Sequence, residues 1–89
     1  MNNIKSKTIS IHEIEIGMTA SFKKLIEFKD VKKFSELSGD TNPIHIDKEY
    51  AAKSRYKKNI AHGLLSSSFF SGIFGTKLPG EGSIYTYQS

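Results

Sequence analysis

An acid, an amide, a proline and a histidine lie within six positions, at Asp40, Asn42, Pro43 and His45. The residues from Ser38 to Pro43 continue a helix or a strand poorly, so the backbone is predicted to turn here. Pro43 also disfavours the α region for Asn42. The stretch is therefore predicted to form a short, stiff loop that carries Asp40 and His45. An acid beside an imidazole can move a proton at neutral pH, although an Asx-turn followed by a surface histidine would use the same residues.

A second polar segment, Ile-Ala-His-Gly at residues 60–63, is predicted to open a long helix. A helix N-terminus presents unpaired backbone N–H groups and a partial positive charge. Gly63 allows another group to approach that backbone, because glycine has no side chain. These features suit an oxyanion hole for a carbonyl that gains charge during a reaction. They also fit a simpler interpretation, in which His62 and Gly63 only shape the start of the helix.

The first 28 residues are predicted to contain a leader, a short apolar-polar segment and one strand. Residues 1–8 are polar and are predicted to form a flexible leader. Residues 9–17 form a short apolar-polar segment that ends at a glycine. From residue 19 to residue 28 apolar and polar side chains mostly alternate, which predicts a half-buried strand.

Two short helices are predicted on either side of the Asp40 loop. Asp30 is predicted to cap the first helix, which ends at Gly39 and has an apolar stripe formed by Val31, Phe34 and Leu37. Asp47 is predicted to cap the second helix, over residues 48–54, where Tyr50 and Ala51 are available to pack.

The longest predicted element is a helix over residues 61–77. Its apolar side chains spread around most of the circumference, which predicts burial on most sides. A turn rich in proline and glycine follows, and residues 83–88 combine β-branched and aromatic side chains that predict a strand.

The composition excludes several classes of protein. The 89 residues suit one small domain, and the contents of 37% hydrophobic and 25% charged residues are ordinary for a globular protein. The absence of cysteine excludes disulfides and thiolate metal sites. His12, His45 and His62 lack ligand spacing with the acids, so no metal site is predicted. No segment is apolar enough to be a signal peptide or a membrane span, and a cytoplasmic location is expected.

The net charge of +4 comes from scattered lysines rather than a basic tract. A solvated basic surface explains this charge, and so would an anionic partner. A nucleic-acid binder is one such hypothesis, but no recognition motif accompanies the charge, and we expect neither nucleic acid nor a membrane as a partner.

Three segments together resemble the MaoC-like, (R)-specific enoyl-CoA hydratases. They are Leu-Ser-Gly-Asp-Thr-Asn-Pro-Ile-His-Ile-Asp at 37–47, Ile-Ala-His-Gly-Leu-Leu at 60–65 and Leu-Pro-Gly-Glu-Gly-Ser-Ile-Tyr at 78–85. The resemblance implies an α+β hot-dog fold, in which an antiparallel sheet wraps around the helix of residues 61–77. In that family about three further strands follow the one at 83–88. Residues 1–89 are therefore expected to be the N-terminal portion of a single hot-dog domain, incomplete in this chain.

The resemblance also implies a set of site residues. Asp40 and His45 would be the catalytic pair that holds the water added to a trans-2-enoyl thioester. Gly63 would donate its backbone N–H to the thioester carbonyl, with His62 beside it in the oxyanion and substrate-binding group. Asn42 would hold the loop, and Ser71 would line the site. The resemblance implies no metal and no cofactor, an acyl-CoA substrate and a homodimer.

Two alternatives stay open on the sequence. If the absence of the further strands abolishes activity, the chain would be a non-catalytic thioester-binding subunit or a fragment of a larger hydratase. It would equally fit a dehydratase that acts on acyl-carrier-protein thioesters.

Overall fold

The computed structural model describes residues 9–84, and its regular elements are all helical. A 3-10 helix at Ile11–Glu13 is followed by four α-helices: α1 at Phe28–Ser38, α2 at Pro43–Ile46, α3 at Lys48–Ala52 and α4 at Gly63–Thr76. The chain divides into two compact units, one formed by residues 24–67 and the other by the described residues on either side of that range. The first of these units contains α1, α2, α3 and the start of α4.

The strand predicted over residues 19–28 is wrong for this structure. Residues 19–27 have no regular structure, and Phe28 is already the first residue of α1. The alternation fails where Lys24 and Leu25 follow one another, and Leu25 is 78% exposed. A strand also needs a neighbour to pair its backbone groups, and none pairs with this segment within residues 9–84. The predictions for residues 1–8 and 85–88 lie outside the described residues.

Helix α1 begins three residues earlier than predicted. Its N-cap is Glu27, and Asp30 occupies the third helical position, where its carboxylate accepts the N–H of Glu27 at 2.9 Å. The two residues form a capping box, so Asp30 satisfies an otherwise unpaired donor without being the cap itself. This hydrogen bond is the largest cause that lowers the pKa of Asp30 below its ordinary value of 3.8.

The end of α1 was predicted correctly. Gly39 follows the helix with a φ of 81°, and its N–H donates to the carbonyl of Ser35 at 2.9 Å. A residue with a side chain is disfavoured in this left-handed conformation, so glycine suits the position. The buried face of α1 consists of Val31 and Ser35, whereas Leu37 is 87% exposed, so the predicted apolar stripe is wrong at Leu37.

The stretch after Gly39 contains a helix as well as a turn. Pro43 is the first residue of α2, and the side chain of Asn42 caps the helix by accepting the N–H of Ile44 at 3.2 Å. His45 therefore lies in a single helical turn, whereas the sequence predicted a loop position. Asp47 caps α3 as predicted, since its carboxylate accepts the N–H of Tyr50 at 3.0 Å.

Helix α4 agrees with the predicted helix of residues 61–77 to within two residues at its start and one at its end. The prediction that its sides are mostly buried is not met within residues 9–84. Leu65 is buried, but Leu64 is 76% exposed and Phe70 is 60% exposed. No helix in residues 9–84 combines the length and the apolar character that crossing a bilayer requires.

Candidate active site

His45 is held in one orientation by the main chain of a distant segment. Its Nδ1 lies 2.8 Å from the carbonyl oxygen of Ile60, and its side chain is only 11% exposed. A carbonyl oxygen can only accept, so Nδ1 carries the proton. In the neutral imidazole, Nε2 is then the atom with a free lone pair. The N–H of Ile60 also reaches the carbonyl of Ile44 at 3.3 Å, which ties this segment to α2.

The side chain of Asn59 adds two further links between that segment and α2. Its amide nitrogen donates to the carbonyl of Ile44 at 3.0 Å and to the carbonyl of Asp47 at 3.2 Å. The carbonyls at the C-terminal end of a helix lack partners within it, so Asn59 and the N–H of Ile60 supply donors to the Ile44 carbonyl, while the Asp47 carbonyl also accepts the N–H of Ala51 at 3.0 Å. The turn that carries His45 is thus held from outside.

Asp40 presents its carboxylate to the free side of the His45 ring. Its Oδ2 lies 3.9 Å from Nε2 of His45, and its side chain is 53% exposed. This separation is too long for a direct hydrogen bond. The other carboxylate oxygen accepts the N–H of Asn42 at 3.3 Å, and the N–H of Asp40 donates to the hydroxyl of Ser38 at 3.1 Å. The loop therefore fixes an exposed acid opposite a buried imidazole.

His62 packs against the ring of His45 and the main chain of Asp40. It is 3% exposed, and its ring stacks on that of His45 with centroids 3.8 Å apart and planes 25° apart. Its Nε2 lies 3.1 Å from the main-chain carbonyl oxygen of Asp40 and 3.0 Å from the hydroxyl of Ser35. The ring of Phe34 contacts it edge-on at 4.8 Å between centroids.

The structure brings four of the predicted site residues together: Asp40, Asn42, His45 and His62. Gly63 follows directly as the first residue of α4, where a helix leaves its N–H groups without intrahelical partners. Among residues 9–84, a side chain added at Gly63 would meet nothing within 4 Å, so this backbone is open to approach from that part of the chain. Ser71 is an exposed residue of α4 that belongs to the other compact unit.

Sequence reasoning missed Ser35 and Ile60. Ser35 is 1% exposed and lies four residues after the buried Val31, so the helical spacing alone marks it as a polar residue on the inner face of α1. Ile60 acts through its carbonyl oxygen, and no side-chain pattern reveals that role.

Sequence spacing between the histidines and the acids was the wrong ground for excluding a metal site, because the fold brings together residues that are distant in sequence. One ligand atom from each of Asp40, His45 and His62 lies within 4.8 Å of the others. The stacked rings, however, do not fit joint ligation. Tetrahedral zinc bonds diverge by about 109°, which would separate two imidazole centroids by about 5 Å rather than the observed 3.8 Å. Nε2 of His62 also carries a proton, which it donates to the main-chain carbonyl of Asp40, so this nitrogen has no free lone pair for a metal.

Comparisons with known proteins identify the class of protein to which this chain belongs. A sequence profile described as MaoC like domain matches residues 6–89. An (R)-specific enoyl-CoA hydratase of Rhodospirillum rubrum is 47% identical over 86% of this chain and 54% of its own length. A 3-hydroxybutyryl-CoA dehydratase of Methylorubrum extorquens is 39% identical over 93% of this chain and 53% of its own length. The chain spans about half the length of these curated relatives.

A solved structure supports the same assignment. The unliganded R-hydratase PhaJ1 of Pseudomonas aeruginosa superposes with a TM-score of 0.88 at 41% identity, covering 92% of this chain and 53% of that one. The fold is therefore the hot-dog fold of the R-hydratases, and the described residues supply helical parts of it. The chain belongs to the MaoC-like domain family.

Proposed function

We propose that this chain carries the catalytic site of an (R)-specific enoyl-CoA hydratase. The enzyme would add water reversibly to a trans-2-enoyl-CoA to give an (R)-3-hydroxyacyl-CoA. One observation carries the proposal: Oδ2 of Asp40 lies 3.9 Å from Nε2 of His45, whose other nitrogen is held by Ile60. The names of the similar proteins, a hydratase and a dehydratase of CoA thioesters, support the same reaction in its two directions.

The spacing of the pair suits a single water molecule as the reactant. An oxygen atom can lie about 2.8 Å from both atoms when they are 3.9 Å apart, which is hydrogen-bonding distance to each. In hydration, the water oxygen forms a bond to the β-carbon while one of its O–H bonds breaks. A proton is delivered to the α-carbon, and the double bond becomes single. Because Nδ1 of His45 donates to Ile60, Nε2 is the His45 atom that exchanges a proton in this scheme.

The same arrangement accounts for a syn addition. Asp40 and His45 reach the water from neighbouring positions, so the oxygen and the proton would come to the same face of the double bond. Placing the acid and the base on one side of the substrate also means that no proton has to cross the substrate plane. The pair regenerates its starting protonation state after one proton is accepted and one is given.

Gly63 would supply the electrostatic part of catalysis. Addition to the β-carbon shifts negative charge onto the thioester carbonyl oxygen, and a backbone N–H at a helix N-terminus stabilises such charge. The absence of a side chain at Gly63 leaves space for the thioester, since none of the described residues has an atom within 4 Å of the position a Cβ would take. Asn42 would act indirectly, because its side chain caps the start of the helix that bears His45.

The acyl-CoA substrate also suggests a role for the basic segment after α3. Lys53, Arg55, Lys57 and Lys58 are exposed, and Arg55 donates to the hydroxyl of Tyr56 at 2.7 Å. Cations on an exposed surface would attract the phosphates of CoA.

A homodimer, implied by the family resemblance, is part of the proposal. Light scattering of the purified chain would test it.

The proposed reaction is tested by incubating the full chain with crotonyl-CoA and following the loss of enoyl-thioester absorbance. The product should be (R)-3-hydroxybutyryl-CoA, as measured by chiral separation after thioester hydrolysis. The reverse reaction should proceed with the (R) isomer and not with the (S) isomer. Binding of butyryl-CoA, a saturated analogue that cannot be hydrated, without turnover of crotonyl-CoA would instead indicate a thioester-binding module.

A further inference from the structure

We infer that His62 is a positioning residue that holds both members of the Asp40–His45 pair, and that Ser35 holds His62 in turn. The role in catalysis rests on the proposed hydratase function, whereas the contacts themselves do not. His62 is distant in sequence from Asp40 and His45 and contacts both. Its ring supports the ring of His45, and its Nε2 supports the main chain of Asp40.

The contact with Asp40 specifies the protonation of His62. The carbonyl oxygen of Asp40 accepts at 3.1 Å, so Nε2 of His62 must carry a hydrogen. The Ser35 hydroxyl lies 3.0 Å from the same nitrogen and accepts from the same N–H. This shared hydrogen bond joins the inner face of α1 to the loop that bears the acid. It therefore fixes the main chain of Asp40, whose side chain is more than half exposed and has little packing of its own.

The stacked contact restrains His45 in a direction that its hydrogen bond leaves open. The bond from Nδ1 to the carbonyl of Ile60 lies along one edge of the ring and permits the ring to tilt about that line. The face of His62, 3.8 Å away between centroids and nearly parallel, opposes this tilt on one side. With both restraints in place, Nε2 of His45 stays directed toward Asp40.

The burial of His62 indicates that it is not simply a space-filling residue. Its Nδ1 is a buried nitrogen with no hydrogen-bond partner among residues 9–84. Leaving a buried acceptor unpaired costs free energy, and an apolar ring of similar size would avoid that cost. The histidine therefore offers less to the stability of the core than a phenylalanine could, and its N–H toward Asp40 is what a phenylalanine would lack.

Two substitutions separate the two contacts of His62. His62→Phe keeps an aromatic face for His45 but removes the N–H that reaches Asp40. His62→Gln keeps an amide nitrogen at the same number of bonds from the main chain as Nε2 but removes the ring. Ser35→Ala removes only the hydroxyl that contacts Nε2 of His62. These three variants, with the double variant Ser35→Ala/His62→Phe, form a double-mutant cycle with a conservative rescue.

We expect His62→Phe to lower kcat for crotonyl-CoA hydration by about tenfold to a hundredfold, because a small misplacement of catalytic groups has effects of that size. KM should stay within about threefold. The resemblance groups His62 with the substrate-binding residues, but its side chain is 3% exposed and packs against His45 and the main chain of Asp40. His62→Gln should recover part of the lost kcat by restoring the hydrogen bond. Ser35→Ala should lower kcat less than His62→Phe. The double variant should be no slower than His62→Phe alone, because Ser35 acts through His62.

A purely structural role would give a different result. In that case the variants would lose thermal stability and active fraction, and each surviving folded molecule would keep the wild-type kcat. Active-site titration with butyryl-CoA and thermal unfolding of the same samples distinguish the two. Wild-type kcat per folded molecule in His62→Phe, or additive losses in the double variant, would overturn the inference.

Nitrogen-15 NMR of the imidazoles provides a readout that does not depend on turnover or on any variant folding. The wild-type chain should show His45 protonated at Nδ1 and His62 protonated at Nε2. His62 protonated at Nδ1 alone would overturn the inference whether or not the chain hydrates crotonyl-CoA. Absence of hydration with the expected tautomers would contradict the proposed function and leave the positioning contacts established.

Discussion

Nδ1 of His45 lies 2.8 Å from the carbonyl oxygen of Ile60, fifteen residues away, and this contact decides which nitrogen of the ring faces Asp40. The sequence motif that contains His45 cannot make that choice, because both ring nitrogens are available in an isolated histidine. The segment just before α4 thus completes the site that begins in the loop after α1. The orientation of His45 toward Asp40 therefore depends on both segments.

Replacement of His45 by two different amides should separate its two nitrogens. His45→Asn places an amide nitrogen at the position of Nδ1, so the bond to Ile60 is kept although the stacked ring is lost. His45→Gln places its amide at the position of Nε2, so it loses both and should be less stable than His45→Asn by about 1 kcal/mol. Both variants should lose hydratase activity. Urea unfolding and crotonyl-CoA turnover test this, and an active His45→Asn would contradict the assignment of Nε2.

Asn42 and Asp47 are neighbouring helix caps that should differ in their effect on activity. Each side chain accepts one backbone N–H, so alanine at either position should cost about 1 kcal/mol of stability. Asn42 caps the helix that carries His45, whereas Asp47 caps the following helix. Asn42→Ala should therefore lower kcat severalfold or more, while Asp47→Ala should leave kcat per folded molecule near the wild-type value. Equal losses of kcat in the two variants would show that the cap on α2 does not position His45.

Gly39 and Gly75 provide a matched pair for the backbone. Gly39 has a φ of 81° at the end of α1, where an alanine would be destabilising by about 1–2 kcal/mol. Gly75 lies within α4, and no atom of another element in the described part of the chain lies within 4 Å of the position of an added Cβ. Gly75→Ala should therefore stabilise the chain by up to about 1 kcal/mol. Chemical denaturation of both variants tests this difference in sign, and destabilisation by Gly75→Ala would indicate that the helix depends on glycine there.

Asp30 should make stability depend on pH in the acidic range. The hydrogen bond from the N–H of Glu27 lowers its pKa in the folded chain below 3.8, with smaller contributions from Lys24 and other lysines. A lowered folded pKa means that the stabilisation is present above the unfolded value and is lost as the pH falls through the folded value. Asp30→Asn should therefore be less stable than wild type near pH 7. The gap should close below about pH 3.8, and a gap that persists unchanged in acid would contradict the capping-box interpretation.

The end of α1 and the start of α3 were predictable because their signals are local. Asp47 precedes a short run of helix-forming residues, and Gly39 stands where a helix must stop, so both boundaries follow from capping chemistry. The turn at Pro43 was correctly placed, but its continuation into α2 was not. The contacts that stabilise that single turn come from Asn59 and Ile60, which lie outside the segment.

The remaining failures have different physical origins. Alternation in residues 19–28 predicts a strand only if a partner is present to pair its backbone, and that depends on the rest of the fold. Asp30 was mistaken for a cap because the residue at the third helical position of a capping box also satisfies the helix end. The pair of Asp40 and His45 was recognisable from a motif. The support of His45 by Ile60 and His62, and of His62 by Ser35, required the three-dimensional structure.

The most direct test of the proposed site is Asp40→Asn, with Asp47→Asn as its control. Both substitutions remove one negative charge from the same short stretch and keep the side-chain shape. The proposal predicts that Asp40→Asn lowers kcat for crotonyl-CoA hydration by at least about a hundredfold, the scale of acid–base catalysis, with butyryl-CoA binding and the unfolding midpoint unchanged. Asp47→Asn should turn over near the wild-type rate. Near-normal turnover by a folded Asp40→Asn chain would contradict the assignment of Asp40 and His45 as the catalytic pair.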